Sequence, residues 1–308
     1  MIPVVEPITR VGGQSEVGTL ETVLVKPPAA AYLSEARVDD QWRQLGYSRA
    51  PRWDAALAEW DRFSELLRSL GIVLCSLPPD DSTCLDSIYV RDASLVCDAG
   101  LIMCSMGKAA RRAEPGSQER SLISRGLPVH GHIEGEGRLE GGDVVWLDER
   151  TVAVGRGYRT NAEGVRQLRR LLTGLADDII VAHLPHGRGP RDVFHLMSGL
   201  SPIDRNLALV YSPVLSVPFR ETLLERGIDL VEVPDAEYPG LGCNVLTVAP
   251  RRCVMVAGNP ITRARLEAAG VEVFEFSGRE ICLAGSGGPT CLTRPLCRSA
   301  SPVSGVTG

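Results

Sequence analysis

Glu140-Gly-Gly-Asp-Val-Val-Trp-Leu-Asp-Glu-Arg-Thr-Val-Ala-Val154 contains two short apolar runs, Val144 to Leu147 and Thr151 to Val154, joined by the polar turn Asp148-Glu-Arg150. Short apolar runs bounded by turn residues read as strands buried on both faces. A helix is expected next, from Asn161 to Leu172. Working outward, the same succession recurs. Ser87 to Val90 and Ser94 to Cys97 precede the turn Asp98-Ala-Gly100 and then Leu101 to Cys104. Phe194 to Leu200 precedes a turn near Asp204-Arg-Asn206, Leu207 to Tyr211, and a helix around Arg220 to Arg226. Val245 to Val248 precedes Pro250-Arg-Arg252, Cys253 to Val256, a helix from Ile261 to Ala269, and a closing strand from Val271 to Phe276.

A polar residue stands at the front of each unit: Asp92, Asp143, His195 and Asn244, separated by 51, 52 and 49 residues. A period of about 50 with one ββαβ unit per repeat is the mark of an array or propeller. The fifth unit is expected from both ends of the chain. Before Asp92 lie a strand from Glu21 to Lys26, a helix from Trp53 to Leu70 stopped by Gly71, and a strand from Ile72 to Cys75. The rest would come from the segment after Phe276. Such a ring leaves few exposed sheet edges. The expectation is one α/β domain over residues 1–308. The small, polar stretch 298–308 reads as a disordered tail.

Hydrophobic residues make up 44% of the 308, charged residues 23%, and the net charge is −5. No basic stripe is present to neutralise phosphates, so nucleic acid is not expected as a partner. No run of about 18 apolar residues is present, so no membrane span is expected. Met1 to Arg10 lacks the layout of a signal peptide. The nine cysteines are odd in number and include no Cys-x-x-Cys pair. Most of them read as buried thiols of a reducing compartment, and a cytoplasmic location is expected. There is no phosphate loop, dinucleotide fingerprint or His-x-x-x-His pair, so neither cofactor nor metal is expected.

Chemistry concentrates in a few places. Gly285-Ser-Gly-Gly-Pro-Thr-Cys291 is too glycine-rich to build a core and lets backbone approach a ligand. Cys291 is a nucleophile or a plain loop thiol. A catalytic thiol needs a base or a positive neighbour. His130, His132, His183 and His186 read as solvated loop residues. His195 lies on the apolar run Val-Phe-His-Leu-Met, as a core histidine or as the partner of Cys291 at the front of a repeat. Asp92 is a strand-end salt bridge or a site acid; Glu140-Gly-Gly-Asp143 is a turn or a source of a second acid. Carboxylates converging on one pore call for a cation, and a planar guanidinium suits bidentate carboxylate contacts.

In the order Val90-Arg-Asp92, Leu139-Glu-Gly-Gly-Asp-Val144, Arg159-Thr-Asn161, His195-Leu196, Cys243-Asn244 and Cys291, the chain resembles the guanidino-group-modifying (pentein) superfamily. That superfamily includes arginine deiminases, dimethylarginine dimethylaminohydrolases and amidinotransferases. The resemblance runs from about Glu21 to Leu296 and implies a five-bladed, pseudo-symmetric α/β propeller of ββαβ units. It implies Cys291 as nucleophile and His195 as general acid/base. Glu140, counted with the catalytic residues, and Asp92 would grip the guanidinium. Asn244 is placed among the substrate-binding residues. Ala110-Arg-Arg112-Ala-Glu114 and Gly157-Tyr-Arg159-Thr-Asn161 resemble segments that hold the substrate carboxylate, which implies Arg112 and Arg159.

Deiminases and amidinotransferases carry an aspartate two residues after the histidine. Met197 stands there, which favours the dimethylargininase branch and leaves room for N-alkyl groups. Arg91 before Asp92 is the deiminase look. The implied reaction is cysteine-dependent hydrolysis of a methylated arginine to citrulline and an alkylamine through a covalent thiouronium. The rivals are arginine deimination, amidino transfer, and a catalytically silent sensor of arginine-like ligands. The expected partner is a small guanidine; a homodimer is left open. The Pro-rich stretch Pro27 to Asp39 is the candidate lid.

Overall fold

A computed structural model of the chain describes residues 10–187, 189–190 and 194–299. The strands group into five three-stranded sheets. One sheet contains β3 (Ser94–Cys97), β4 (Gly100–Met103) and β5 (Val129–His132). The next contains β6 (Val144–Trp146), β7 (Thr151–Arg156) and β8 (Asp178–His183). Then come β9 (Leu200–Asp204), β10 (Leu207–Val210) and β11 (Asp229–Glu232), followed by β12 (Leu246–Ala249), β13 (Arg252–Val256) and β14 (Glu272–Phe276). The fifth sheet joins β15 (Arg294–Arg298) from one end of the chain to β1 (Leu20–Val25) and β2 (Val73–Ser76) from the other. In every sheet the first strand is antiparallel to the second, and the second is parallel to the third. The parallel step is bridged by helix: α4 (Glu114–Ile123), α5 (Ala162–Leu171), α6 (Val217–Glu225) and α7 (Pro260–Ala268). In the fifth sheet the bridge is α1 (Pro28–Tyr32), α2 (Glu35–Leu45) and α3 (Trp53–Ser69).

The strands are apolar on both faces because each sheet packs against two neighbours. Val144 and Trp146 join Leu95, Cys97 and Ile102 in the cluster shared with the preceding sheet. Val145 and Ala153, pointing the other way, join Leu200, Ala208 and Val210. The same alternation places Ile203 and Leu209 against Val245 and Met255. Val23 and Val25 pack on Leu246 and Val254, and Leu24 packs on Val96, Leu101 and Leu296. Five apolar clusters thus fill the five seams of a closed ring, the five-bladed α/β propeller expected from the repeat.

Helix ends follow local chemistry. Asn161 lies just outside α5, and its side chain accepts the Gly164 N–H at 2.8 Å. Gly71, the expected stop after α3, takes φ 82°, which suits a residue without Cβ. The candidate lid, Pro27 to Asp39, contains α1 and the start of α2, with Tyr32 fully buried. Arg298, expected in a disordered tail, is the last residue of β15 and is buried; residues 300–308 lie outside the described residues.

Two other expectations fail together. Ser87 to Val90 and Phe194 to Leu200 are not strands. The first lies across two 3-10 turns, Leu85–Ile88 and Val90–Ala93. The second contains the turn Leu196–Ser198 before β9 begins. Both stretches are apolar because they border the buried centre of the ring, and unbroken apolarity reports burial without reporting the backbone period. No helix among the described residues is long and apolar enough to cross a membrane.

Gly164 tests the seam beside α5. Glycine within a helix ordinarily costs about 0.5–1 kcal/mol relative to alanine. Here an added Cβ would overlap the Arg138 carbonyl. Gly164→Ala is therefore expected to lower stability by about 1–3 kcal/mol in urea unfolding; a stabilised variant would remove this close approach.

Candidate active site

Each first strand is entered through a tight turn whose polar residue points at the ring centre. Asp92 lies two residues before β3, Glu140 and Asp143 flank the turn into β6, His195 caps the turn before β9, Asn244 precedes β12, and Cys291 precedes β15. The structure brings Asp92, His195 and Cys291 to one small cavity of ≈ 20 Å³, which Asp86, Lys108, Arg111 and Arg159 also line. A larger space of ≈ 380 Å³ shares His195, Ser286 and Cys291 with it and adds Asn244.

His195 is the hub. Its Nε2 lies 2.7 Å from Glu140 Oε2, and its Nδ1 lies 3.9 Å from Asp92 Oδ1. Glu140 Oε1 accepts the backbone N–H groups of Gly107 and Lys108 at 2.9 and 3.1 Å, with Arg159 Nη1 3.6 Å away. One lone pair of Oε2 is left for a substrate N–H. Asp92 Oδ1 accepts from Gly142 N at 3.0 Å and its Oδ2 from Arg111 Nη1 at 2.5 Å. Asp143, fully buried, accepts from Thr160 Oγ1 at 2.6 Å and Leu196 N at 3.0 Å, so it sets the turn that His195 caps. Gly142 is required by proximity: an added Cβ would lie 2.7 Å from Asp92 Oδ1 and 2.9 Å from the His195 ring. The Glu-Gly-Gly-Asp turn is what lets two carboxylates close on one imidazole.

The charges follow. Burial opposes a charged His195, but Asp92, Asp143 and Glu140 together outweigh it and hold the imidazole up at about 9. Burial likewise opposes an ionised Glu140, and the His195 hydrogen bond and charge outweigh it, bringing the carboxyl down to about 2. Asp92 is also held below its ordinary range, burial being outweighed by His195 and Arg111. Asp143 has too little compensation, and burial pushes it up to about 7. The Cys291 thiol is pushed up to about 11, by burial first and by Asp92 second, although Asn244 Nδ2 donates to Sγ at 3.3 Å. The resting site is a thiol beside an imidazolium and two carboxylates. It presents negative charge to a cation and has a proton ready to give.

A family profile described as N,N dimethylarginine dimethylhydrolase, eukaryotic, matches residues 28–298. The chain belongs to the dimethylarginine dimethylaminohydrolase family. A Streptomyces coelicolor relative named N(G),N(G)-dimethylarginine dimethylaminohydrolase is 30% identical over 77% of this chain and 84% of its own. The relative of that name from Pseudomonas aeruginosa is 27% identical over 79% and 89%. A solved Pseudomonas aeruginosa dimethylarginine dimethylaminohydrolase, a cysteine-to-serine variant complexed with citrulline, superposes with TM-score 0.72 at 26% identity over 90% of this chain and 99% of that one. An amidinotransferase from Microseira wollei shares the fold at TM-score 0.77 and 17% identity, covering 94% and 98%.

In this dimethylarginine dimethylaminohydrolase relative, one expected residue stands elsewhere. Arg112 is exposed and lines a separate hollow with Ser105, Pro115 and Arg138. Its neighbour Arg111 is the arginine at the site, bound to Asp92, to Glu114 at 2.9 and 2.8 Å, and to the Tyr89 carbonyl at 2.8 Å. The Arg111–Glu114 spacing of three was the available signal, since i,i+3 pairs face each other on a helical turn. Met197 is buried in the apolar cluster between two sheets. Sequence reasoning also missed Asp86 and Lys108, which pair at 2.6 Å at the cavity wall. Asp86 sits on a turn inside an apolar stretch, and nothing in its spacing marked it.

A thiol at about 11 is almost wholly protonated at neutral pH, and below that value its thiolate fraction grows about tenfold per pH unit. Iodoacetamide alkylation of Cys291 without substrate is therefore expected to accelerate steadily from pH 7 to pH 10. A plateau near pH 7, read by mass spectrometry of the labelled peptide, would show a preformed thiolate.

Proposed function

We propose that the protein is a cysteine-dependent hydrolase of a free, N-substituted arginine, acting at the guanidinium carbon through a covalent thiouronium. The supporting observation is that Cys291, His195 and Asp92 line one cavity while Glu140 is bonded to the imidazole.

The reaction follows from the charges. The guanidinium is drawn between the carboxylates of Asp92 and Glu140, which keep lone pairs free beside their bonds to Arg111 and His195. Its positive charge beside Cys291 favours the thiolate and releases the thiol proton. Sulfur attacks the central carbon. His195, charged at rest, protonates the departing amine as its bond to carbon breaks. The imidazole, now neutral, takes a proton from water as the oxygen adds to the thiouronium carbon. Carbon–sulfur cleavage then leaves a ureido product as the hydroxyl proton passes to the departing sulfur and restores the Cys291 thiol, while the proton the thiol gave up on substrate binding is taken up in solution by the freed amine. Asn244 holds Sγ in place through its Nδ2–H. Arg159 and the Lys108–Asp86 pair line the far wall, where an amino-acid carboxylate and ammonium find opposite charges. Arg111 is fully engaged and anchors Asp92.

The test is a product assay with arginine, monomethylarginine and asymmetric dimethylarginine offered in parallel. Citrulline plus methylamines, with arginine inert, is expected. Ammonia from arginine would make the protein a deiminase, and no covalent or turnover chemistry with any guanidine would leave a sensor. Cys291→Ser is expected to lower kcat by more than about 10³-fold while calorimetry still detects substrate binding. Glu140→Gln removes the carboxylate hydrogen-bonded to His195; kcat is expected to fall by about 10²-fold, with the basic limb of its pH profile moved below 9.

A further inference from the structure

The leading ends of the first strands carry the site; their trailing ends are spanned by residues 12–18. Gly13 N donates to Asp98 Oδ1, and Gln14 Nε2 donates to the Glu149 and Leu175 carbonyls, tying this segment across the turns that follow β3 and β6. Between the two levels lie three buried arginines, Arg91, Arg294 and Arg298. Arg91 Nη2 takes both oxygens of Glu16 at 2.7 Å. Arg294 Nη2 donates to the Arg91 carbonyl at 2.5 Å, and Arg298 to the Gly18 and Thr247 carbonyls at 2.5 and 2.8 Å.

This cluster is short of negative charge. Among the described residues Glu16 is its one direct carboxylate, already held by Arg91. Asp92, the next acid felt by Arg294, is engaged by Arg111 and Gly142. Among the described residues, four guanidinium nitrogens have no hydrogen-bond partner: Arg91 Nε and Nη1, Arg294 Nε and Arg298 Nε. Burial pushes Arg294 down to about 9 and Arg298 to about 10. Unpaired buried cations are costly, and carbonyl dipoles do not neutralise them. Arg294, Arg298, Glu16, Ser15 and Trp146 line a void of ≈ 10 Å³. That is room for about one water-sized sphere, too little for phosphate or sulfate.

We propose that this void binds a single monatomic anion of the chloride class, held by the Nε–H groups of Arg294 and Arg298. Arg294 links the site to the turns that carry Asp92 and Glu140. Arg294 follows Cys291 by one turn of chain and also reaches the Gly141 carbonyl, 3.4 Å away and next to Glu140.

The test uses the whole protein and no substrate, so its outcome is independent of which guanidine is hydrolysed. Crystals soaked in bromide are expected to show an anomalous peak within hydrogen-bonding distance of both Nε atoms. In solution the unfolding midpoint is expected to be about 2–4 °C higher in sodium chloride than in sodium gluconate of equal ionic strength, saturating with chloride. Arg298→Gln is expected to abolish the increment. Should that variant not fold, Arg294→Lys keeps the charge, loses the Nε–H donor, and is expected to lose the increment too. The proposal is overturned by the absence of a bromide peak between Arg294 and Arg298 at saturating bromide, whether water alone or a peak elsewhere is found. A chloride increment that survives the substitutions overturns it equally.

Discussion

The structure depends on each sheet being apolar on both faces. A three-stranded sheet of this kind has no stable existence with either face in water, because the transfer of apolar surface is what holds it together. Val144 and Trp146 need one neighbour and Val145 needs another. Only a closed ring gives every sheet two neighbours. Closure in turn draws the strand entrances together at the centre, where backbone must turn sharply and polar side chains have no solvent. The site is a consequence of the closure: five turns meet, and what they carry must be mutually compensating.

That compensation is unequal across the ring. On the catalytic face the acids outnumber the cations that can reach them, so His195 is held charged and Asp143 is left partly short of partners. On the opposite side of the same core the arginines are in excess. The two imbalances are separated by the backbone of the Asp92 and Gly141 turns and are joined by Arg294, whose hydrogen bonds end on both.

The sequence made the ring legible because spacing and two-sided apolarity are properties of the repeat, repeated often enough to stand out. Asp92, Asp143, His195 and Asn244 stood out for the same reason, each being the polar residue at the front of a unit, whereas Cys291 was marked by the glycine-rich stretch before it and Glu140 by the Glu-Gly-Gly-Asp turn and the family resemblance. What was not legible depended on local backbone. Ser87 to Val90 is as apolar as a strand but lies in 3-10 turns, so Asp86 beside it was read past. Arg111 and Arg112 are chemically identical neighbours, and only the turn Ala109–Arg111 decides which one points inward. Glycine density correctly flagged close approach around Cys291, where Gly287 lies against the Tyr89 ring and Gly288 against Asn244.

The fifth sheet is made of strands from opposite ends of the chain, β15 pairing antiparallel with β1. During synthesis β1 leaves the ribosome first and waits, with one edge unpaired and one seam unfilled, until the last strand has emerged. Cys291, the proposed nucleophile, precedes that last strand by three residues. A partly made chain therefore holds the histidine and both acids but not the sulfur. In the function proposed above, reactivity toward guanidines is withheld until the last strand of the ring has been made, and the strand that closes the exposed edge also completes the site.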